Sequence, residues 1–153
     1  MAWNNYGRLN SHDRRGPAAM DDTICYLNTD LEIDSLDNLT NLASALKASG
    51  MWSLCEAMKG DDGLWHTRFE TNADYNEPEP NIAAMIAAIE SLDESLRADW
   101  SRCSLREFNI GYDCGSKPWA FNQGLSNELL GRIAAIGASL RWTLYPPECP
   151  KSS

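Results

Sequence analysis

The chain has 153 residues, of which 43% are hydrophobic: enough for one domain with a real core, and too many for a disordered chain. Lys and Arg total 13 against 22 Asp and Glu, a formal net charge of −9. That sign excludes a nucleic-acid or anionic-membrane partner, since both need clustered Lys and Arg, and it fits a basic protein partner as well as plain solubility.

Residues 1–20 set Arg8, Arg14 and Arg15 against Asp13 with no periodicity. They are expected to form a flexible tail in which Trp3 and Tyr6 are the side chains suited to docking, and Met20 is an alternative start. Setting this tail aside leaves −11 on the remainder. Thr23 to Ile33 alternates as a strand, with Cys25, Leu27, Leu31 and Ile33 on one face. Asp34 or Ser35 is expected to cap a helix striped by Leu36, Leu39, Leu42, Ala43 and Leu46 and ended by Gly50. Met51–Met58 and Leu64–Thr71 read as strands of a hairpin closed by Gly60-Asp61-Asp62-Gly63, whose Asp-Gly pair suits positive φ.

An acidic loop follows, and Pro80 opens a helix whose stripe runs from Ile82 through Leu92 and Leu96 to Trp100. Leu105–Tyr112 is a strand with Phe108, Ile110 and Tyr112 on one face. Ser126 caps the third helix, with Leu125 placed to staple onto Leu130. Leu140–Tyr145 is the last strand, stopped by Pro146-Pro147. The order predicts an α+β domain over residues 21–148, its helices packed on a mostly antiparallel sheet, followed by a C-terminal tail at 149–153. Its first six elements, β-α-β-β-α-β, match the split-βαβ, ferredoxin-like order, and α-β follows.

Two stretches align without gaps: Ala45-Leu-Lys-Ala-Ser-Gly-Met-Trp-Ser-Leu54 and Ala135-Ile-Gly-Ala-Ser-Leu-Arg-Trp-Thr-Leu144. Each covers a helix end, a small-residue turn and the strand after it, with Trp52 matching Trp142. The alignment predicts two related helix–strand halves in which each Trp packs from its strand.

The five cysteines (Cys25, Cys55, Cys103, Cys114, Cys149) include no C-x-x-C pair, and His12 and His66 are the two histidines. No zinc site, other metal or cofactor is expected, and Cys25 and Cys55 read as small buried residues. No apolar run nears the ~18 residues of a membrane span, and no secretory signal is evident. Reduced thiols in the cytoplasm follow as the expectation.

Two constellations could carry function. The first is an acidic and aromatic set, Asp61, Asp62, Trp65, Glu70, Asp74, Tyr75, Glu77 and Glu79, suited to steering and anchoring a basic protein. Its spacing does not follow the EF-hand pattern. The second is the stretch Tyr112–Gly124, where Tyr112, Cys114, Trp119, Phe121 and Asn122 could line a small pocket. Cys114 as a nucleophile would need a base, and His66 is the candidate.

Asn109-Ile-Gly-Tyr112, Asn127-Glu-Leu-Leu130 and Ile136-Gly-Ala-Ser-Leu140 resemble the bacterial domain-of-unknown-function family 4279, over roughly residues 21–147. The resemblance implies a small two-repeat α/β domain of immunity-protein type and carries over no catalytic residue. The first functional expectation is therefore an immunity-type protein whose acidic face blocks a basic toxin domain. The alternatives are a small-molecule or metal-dependent enzyme using the 112–124 loop, and a self-associating module that pairs exposed sheet edges, as in a homodimer.

Overall fold

The computed structural model describes residues 22–146. The expected tails at 1–20 and 149–153, with Trp3, Tyr6, His12 and Cys149, lie outside the described residues. The elements are β1 (Cys25–Ser35), α1 (Thr40–Ala48), β2 (Met51–Lys59), β3 (Trp65–Thr71), α2 (Pro78–Glu90), α3 (Glu94–Arg102), β4 (Leu105–Asp113), α4 (Asn127–Ala135) and β5 (Ser139–Tyr145). They make an α+β fold with a mixed five-stranded sheet in the order β2-β3-β1-β4-β5. β1 pairs antiparallel with β3 and β4, β2 pairs antiparallel with β3, and β5 runs parallel to β4.

Strand alternation sorts side chains to two faces. Leu31, Ile33, Phe69, Phe108 and Ile110 point to one face, where they share a core with Leu42 and Leu46 of α1, Ile82, Met85 and Ile86 of α2, Trp100 of α3, and Leu129 and Ile133 of α4. All four helices therefore cover this face. Each such side chain contributes roughly 1.5–3 kcal/mol on burial.

The hairpin, the Ser126 cap and the inward row of β4 form as expected. Gly63 has φ +84°, Ser126 Oγ accepts from Leu129 N at 3.2 Å, and Phe108, Ile110 and Tyr112 are buried. Elsewhere the structure corrects the expectation. Asp34 and Ser35 do not cap α1, because both stay in the ladder opposite His66 and Trp65. Asn38 Oδ1 instead accepts from Thr40 N at 2.8 Å, and Leu36 is 78% exposed.

A bulge between Tyr26 and Asn28 reverses the faces of β1, so Tyr26 turns to the core side and Cys25 and Leu27 are half-buried. Cys55, on the irregular β2, is likewise half-buried rather than buried.

The single helix expected from Pro80 to Trp100 is two. Asp93 Oδ1 accepts from Leu96 N at 2.9 Å and starts α3, while Arg97 donates to the Leu92 and Glu90 carbonyls left at the end of α2. α2 itself begins at Pro78, two residues before Pro80, and both prolines fall in the first turn, where no N–H is needed. At α4 the core contact belongs to Leu129; Leu130 is 40% exposed.

The two aligned stretches share the order helix, glycine turn, strand. Their positive-φ glycines, Gly50 and Gly137, fall three alignment positions apart. Neither tryptophan packs away: Trp52 stands opposite Glu70 on the helix-free face and is 59% exposed, and Trp142 stands opposite Ile110 on the helix-covered face and is 51% exposed.

The helix-free face is tied together by charge. Glu32, buried at its centre, accepts from Arg141 Nη2 at 2.5 Å and from Asn109 Nδ2 at 3.1 Å, with Arg68 Nη2 at 3.5 Å. Arg141 also reaches Glu107 at 2.6 Å, so one guanidinium on β5 joins carboxylates on β1 and β4. Arg141→Met keeps most of the stem and leaves Glu32 short of donors. It should cost about 2 kcal/mol in urea denaturation, and the Glu32→Gln/Arg141→Met double variant should recover more than half of that. Equal losses in the single and double variants would refute the clamp.

Candidate functional site

The seven residues of β3 span about 20 Å. That length separates the acidic set expected from sequence. Asp61 and Asp62 lie in the turn before β3, with Trp65 half-buried against the core at its first position. Glu70 sits on the helix-free face. Asp74, Tyr75, Glu77 and Glu79 lie beyond the far end of β3, so the eight residues do not form one surface.

The second group meets the expected pocket. β4 and β5 are parallel, and their carboxyl ends open at the same edge of the sheet as the 72–77 loop. Glu79 accepts from Ser126 N at 3.0 Å and from Ser126 Oγ at 2.6 Å, which joins the start of α2 to the N-cap of α4. The loop after β4 is pinned on its other side by Asp22, which accepts from the backbone N–H and hydroxyl of Ser116; Ile24 N donates to Lys117 O at 2.7 Å. Gly115 permits this approach, because a Cβ there would lie 2.2 Å from the Asp22 carbonyl oxygen.

Between these ties lies a recess of about 260 Å³, lined by Ile24, Tyr112, Cys114, Phe121, Gln123, Trp142 and Leu144. Of the expected pocket residues, Tyr112, Cys114 and Phe121 are brought together, with Tyr112 and Phe121 in edge contact at 5.3 Å. Trp119 is 99% exposed, and neither it nor the exposed Asn122 lines the recess. Trp142 and Leu144 were not singled out by sequence as site residues. Their signal was the alternating apolar row of β5, which on a central strand would mean core and on an edge strand means a wall. The carboxyl ends of parallel strands are where open sheets commonly take ligands.

Charge concentrates here. Asp22, Asp74, Glu77, Glu79 and Asp113 surround this end of the sheet, and Lys117 is the cation of the same segments. Hydrogen bonds from Ser116 hold Asp22 below the usual carboxylate range, and those from Ser126 do the same for Glu79, so both stay ionised. Cys114 has no histidine beside it. His66 pairs with Asp34 near the opposite end of β1, and Cys114 follows the residue that pairs with Cys25, a separation on the order of 25–30 Å. Among the described residues no cluster of three His, Cys, Asp or Glu could hold a metal ion.

Sequence reasoning also passed over the centre of the helix-free face. The register puts Asp30 opposite Glu70, and Asn28 Nδ2 donates to both carboxyls, at 2.8 and 2.6 Å. Burial, then the Glu70 charge, push Asp30 up to about 7. At the far end of the sheet, His66 lies 2.7 Å from Asp34 and 3.1 Å from Asp62. Burial lowers its pKa, but hydrogen bonds to these two carboxylates outweigh that and leave it raised.

Comparison with known proteins returns no match among family models, curated proteins or solved structures.

Asp30 has a raised pKa, so its contribution to stability is complete below about 4 and is lost as pH rises through about 7. Asp30→Asn should flatten thermal stability over that window and exceed the wild type by about 2 kcal/mol at pH 8. A variant that follows the wild-type pH profile would sink this assignment. Tyr112 is 2% exposed, and its hydroxyl, pushed up to about 12 chiefly by burial, has no hydrogen-bond partner among the described residues. Tyr112→Phe should therefore be neutral or stabilising by about 1 kcal/mol in denaturant titration; a loss above that would reveal a hydrogen bond.

Proposed function

We propose that this protein is a binding protein of immunity type, which engages a basic protein partner, such as a toxin domain, through the acidic end of its sheet. One observation carries the reading: the end of the sheet that holds Asp22, Glu77, Glu79 and Asp113 also holds a recess whose walls, Phe121, Trp142 and Leu144, are 40%, 51% and 62% exposed. Large apolar side chains left in water beside negative charge are what a protein interface uses, the aromatics as anchors and the carboxylates to steer the approach. Asp74, Tyr75, Glu77 and Glu79 belong to this surface. Asp61, Asp62, Trp65 and Glu70 do not.

The resemblance to domain-of-unknown-function family 4279 supports the same reading; a cytoplasmic setting belongs to the proposal too, on the reduced thiols expected from the cysteine spacing. The finer architecture belongs to the proposal as well. β3 lying between β1 and β2, and β1 lying between β3 and β4, is the arrangement expected of a ferredoxin-like split βαβ, here extended by α4 and β5. The repeat of two halves rests on the ten aligned positions alone.

The test is co-expression with the products of the genes flanking its own. One of them should be toxic alone and harmless with the wild type, and the purified complex should weaken about tenfold between low and physiological salt. Glu77→Lys combined with Trp142→Ala should abolish protection while leaving the thermal midpoint within a few degrees. The proposal fails if neither neighbour's product binds, or if the double variant protects as well as the wild type.

A further inference from the structure

β5 forms one outer edge of the sheet, and no strand among the described residues pairs with its outer side. Tyr145 O accepts from Cys114 N at 2.8 Å and so faces β4. Alternation then turns the backbone N–H and C=O groups of Leu140, Trp142 and Leu144 away from β4, along the open edge. Proteins blunt such edges with bulges, lysines or prolines. The opposite edge is blunted: β2 shifts register twice and ends on Lys59. β5 is not, because it pairs in unbroken register from Ser139 to Tyr145, and its one charge, Arg141, is drawn onto the helix-free face by Glu32 and Glu107.

We propose that a basic, extended segment of the protein partner adds to β5 as a sixth strand, resting on the binding function proposed above. Main-chain hydrogen bonds to Leu140, Trp142 and Leu144 supply the pairing, and alternate apolar side chains of the segment lie over Trp142 and Leu144 toward the recess. Its Lys or Arg residues lie at the end nearest Tyr145, among Asp22, Glu77 and Asp113. Charge selects this occupant over a second copy. An antiparallel copy would bring its uncharged Ile136–Ser139 stretch to that end, and a parallel copy would bring the same carboxylates. Neither neutralises Asp22, Glu77 and Asp113.

The test uses the full chain, immobilised, against a displayed library of random peptides of about ten residues, roughly the longest common strand. Selected peptides should alternate apolar residues, carry Lys or Arg clustered at one end, and protect the Leu140, Trp142 and Leu144 amides from hydrogen exchange. Leu144→Pro, which removes an outward N–H and no ladder bond, should weaken the selected peptides by about tenfold or more. Leu144→Lys should do the same without touching the backbone. Peptides of helical periodicity, an empty selection, or peptides that bind both variants undiminished would each overturn the inference. The flanking-gene partner separates the two proposals: if it binds Leu144→Pro and Leu144→Lys as tightly as the wild type, strand addition fails and the binding function stands.

Discussion

The structure depends on keeping the buried Glu32 carboxylate supplied with donors. β1 is the central strand, with both of its hydrogen-bonding edges used and its inward row filled by Leu31 and Ile33 at zero exposure. Its outward row, Asn28, Asp30, Glu32 and Asp34, is polar throughout, yet Glu32 is as buried as a core residue. A carboxylate in that position is tolerable only with good donors around it. Those donors come from β3 (Arg68), β4 (Asn109) and β5 (Arg141), so the order of strands across the sheet is also the order of ligands around one anion.

The same constraint shapes the candidate site. Arg141 is held on the helix-free face, and strand alternation therefore sends Trp142, the next residue, to the other. β5 is the last strand, and the helices do not cover it, so Trp142 and Leu144 become walls of a recess instead of core. The loop after β4 supplies the remaining wall, and it can lie there because Gly115 passes against the Asp22 backbone and Glu79 holds Ser126. A clamp on one face of the sheet thus fixes the register that leaves apolar surface exposed on the other.

What sequence made legible were features whose cause is local. The Asp-Gly turn, the Ser126 cap and the alternation of β4 need a few neighbouring residues, and each was readable. What escaped depended on partners far along the chain. The apolar row from Ile82 to Trp100 concealed a helix break, because Leu92 stays in the core at the break itself while Asp93 and Arg97 reassign the backbone hydrogen bonds. One bulged residue near Leu27 reversed the face assignment of Cys25 and Leu27. The acidic residues from Asp61 to Glu79 look continuous in the sequence because β3 occupies so few residues, yet a strand converts few residues into much length. The pocket residues fared better, since Tyr112, Cys114 and Phe121 surround one short loop whose ends are fixed.

Charge distribution decides how the two acidic ends differ. Residues 22–146 hold nine Lys and Arg against nineteen Asp and Glu, so the excess could have spread evenly. It does not, because Lys47, Arg68, Arg102, Arg132 and Arg141 are each committed to carboxylates on the helices and the sheet face. At the hairpin end, His66 lies between Asp34 and Asp62 and offsets part of their charge as it protonates. Among the described residues, the end near the recess sets Lys117 against Asp22, Glu77, Glu79 and Asp113. An approaching cation is therefore drawn toward this end, where apolar walls of low dielectric constant strengthen the attraction. Asp22, Glu77 and Asp113 thus lie at the same end of the sheet as the exposed Trp142 and Leu144, and this coincidence of negative charge with unburied apolar surface gives the sheet its direction.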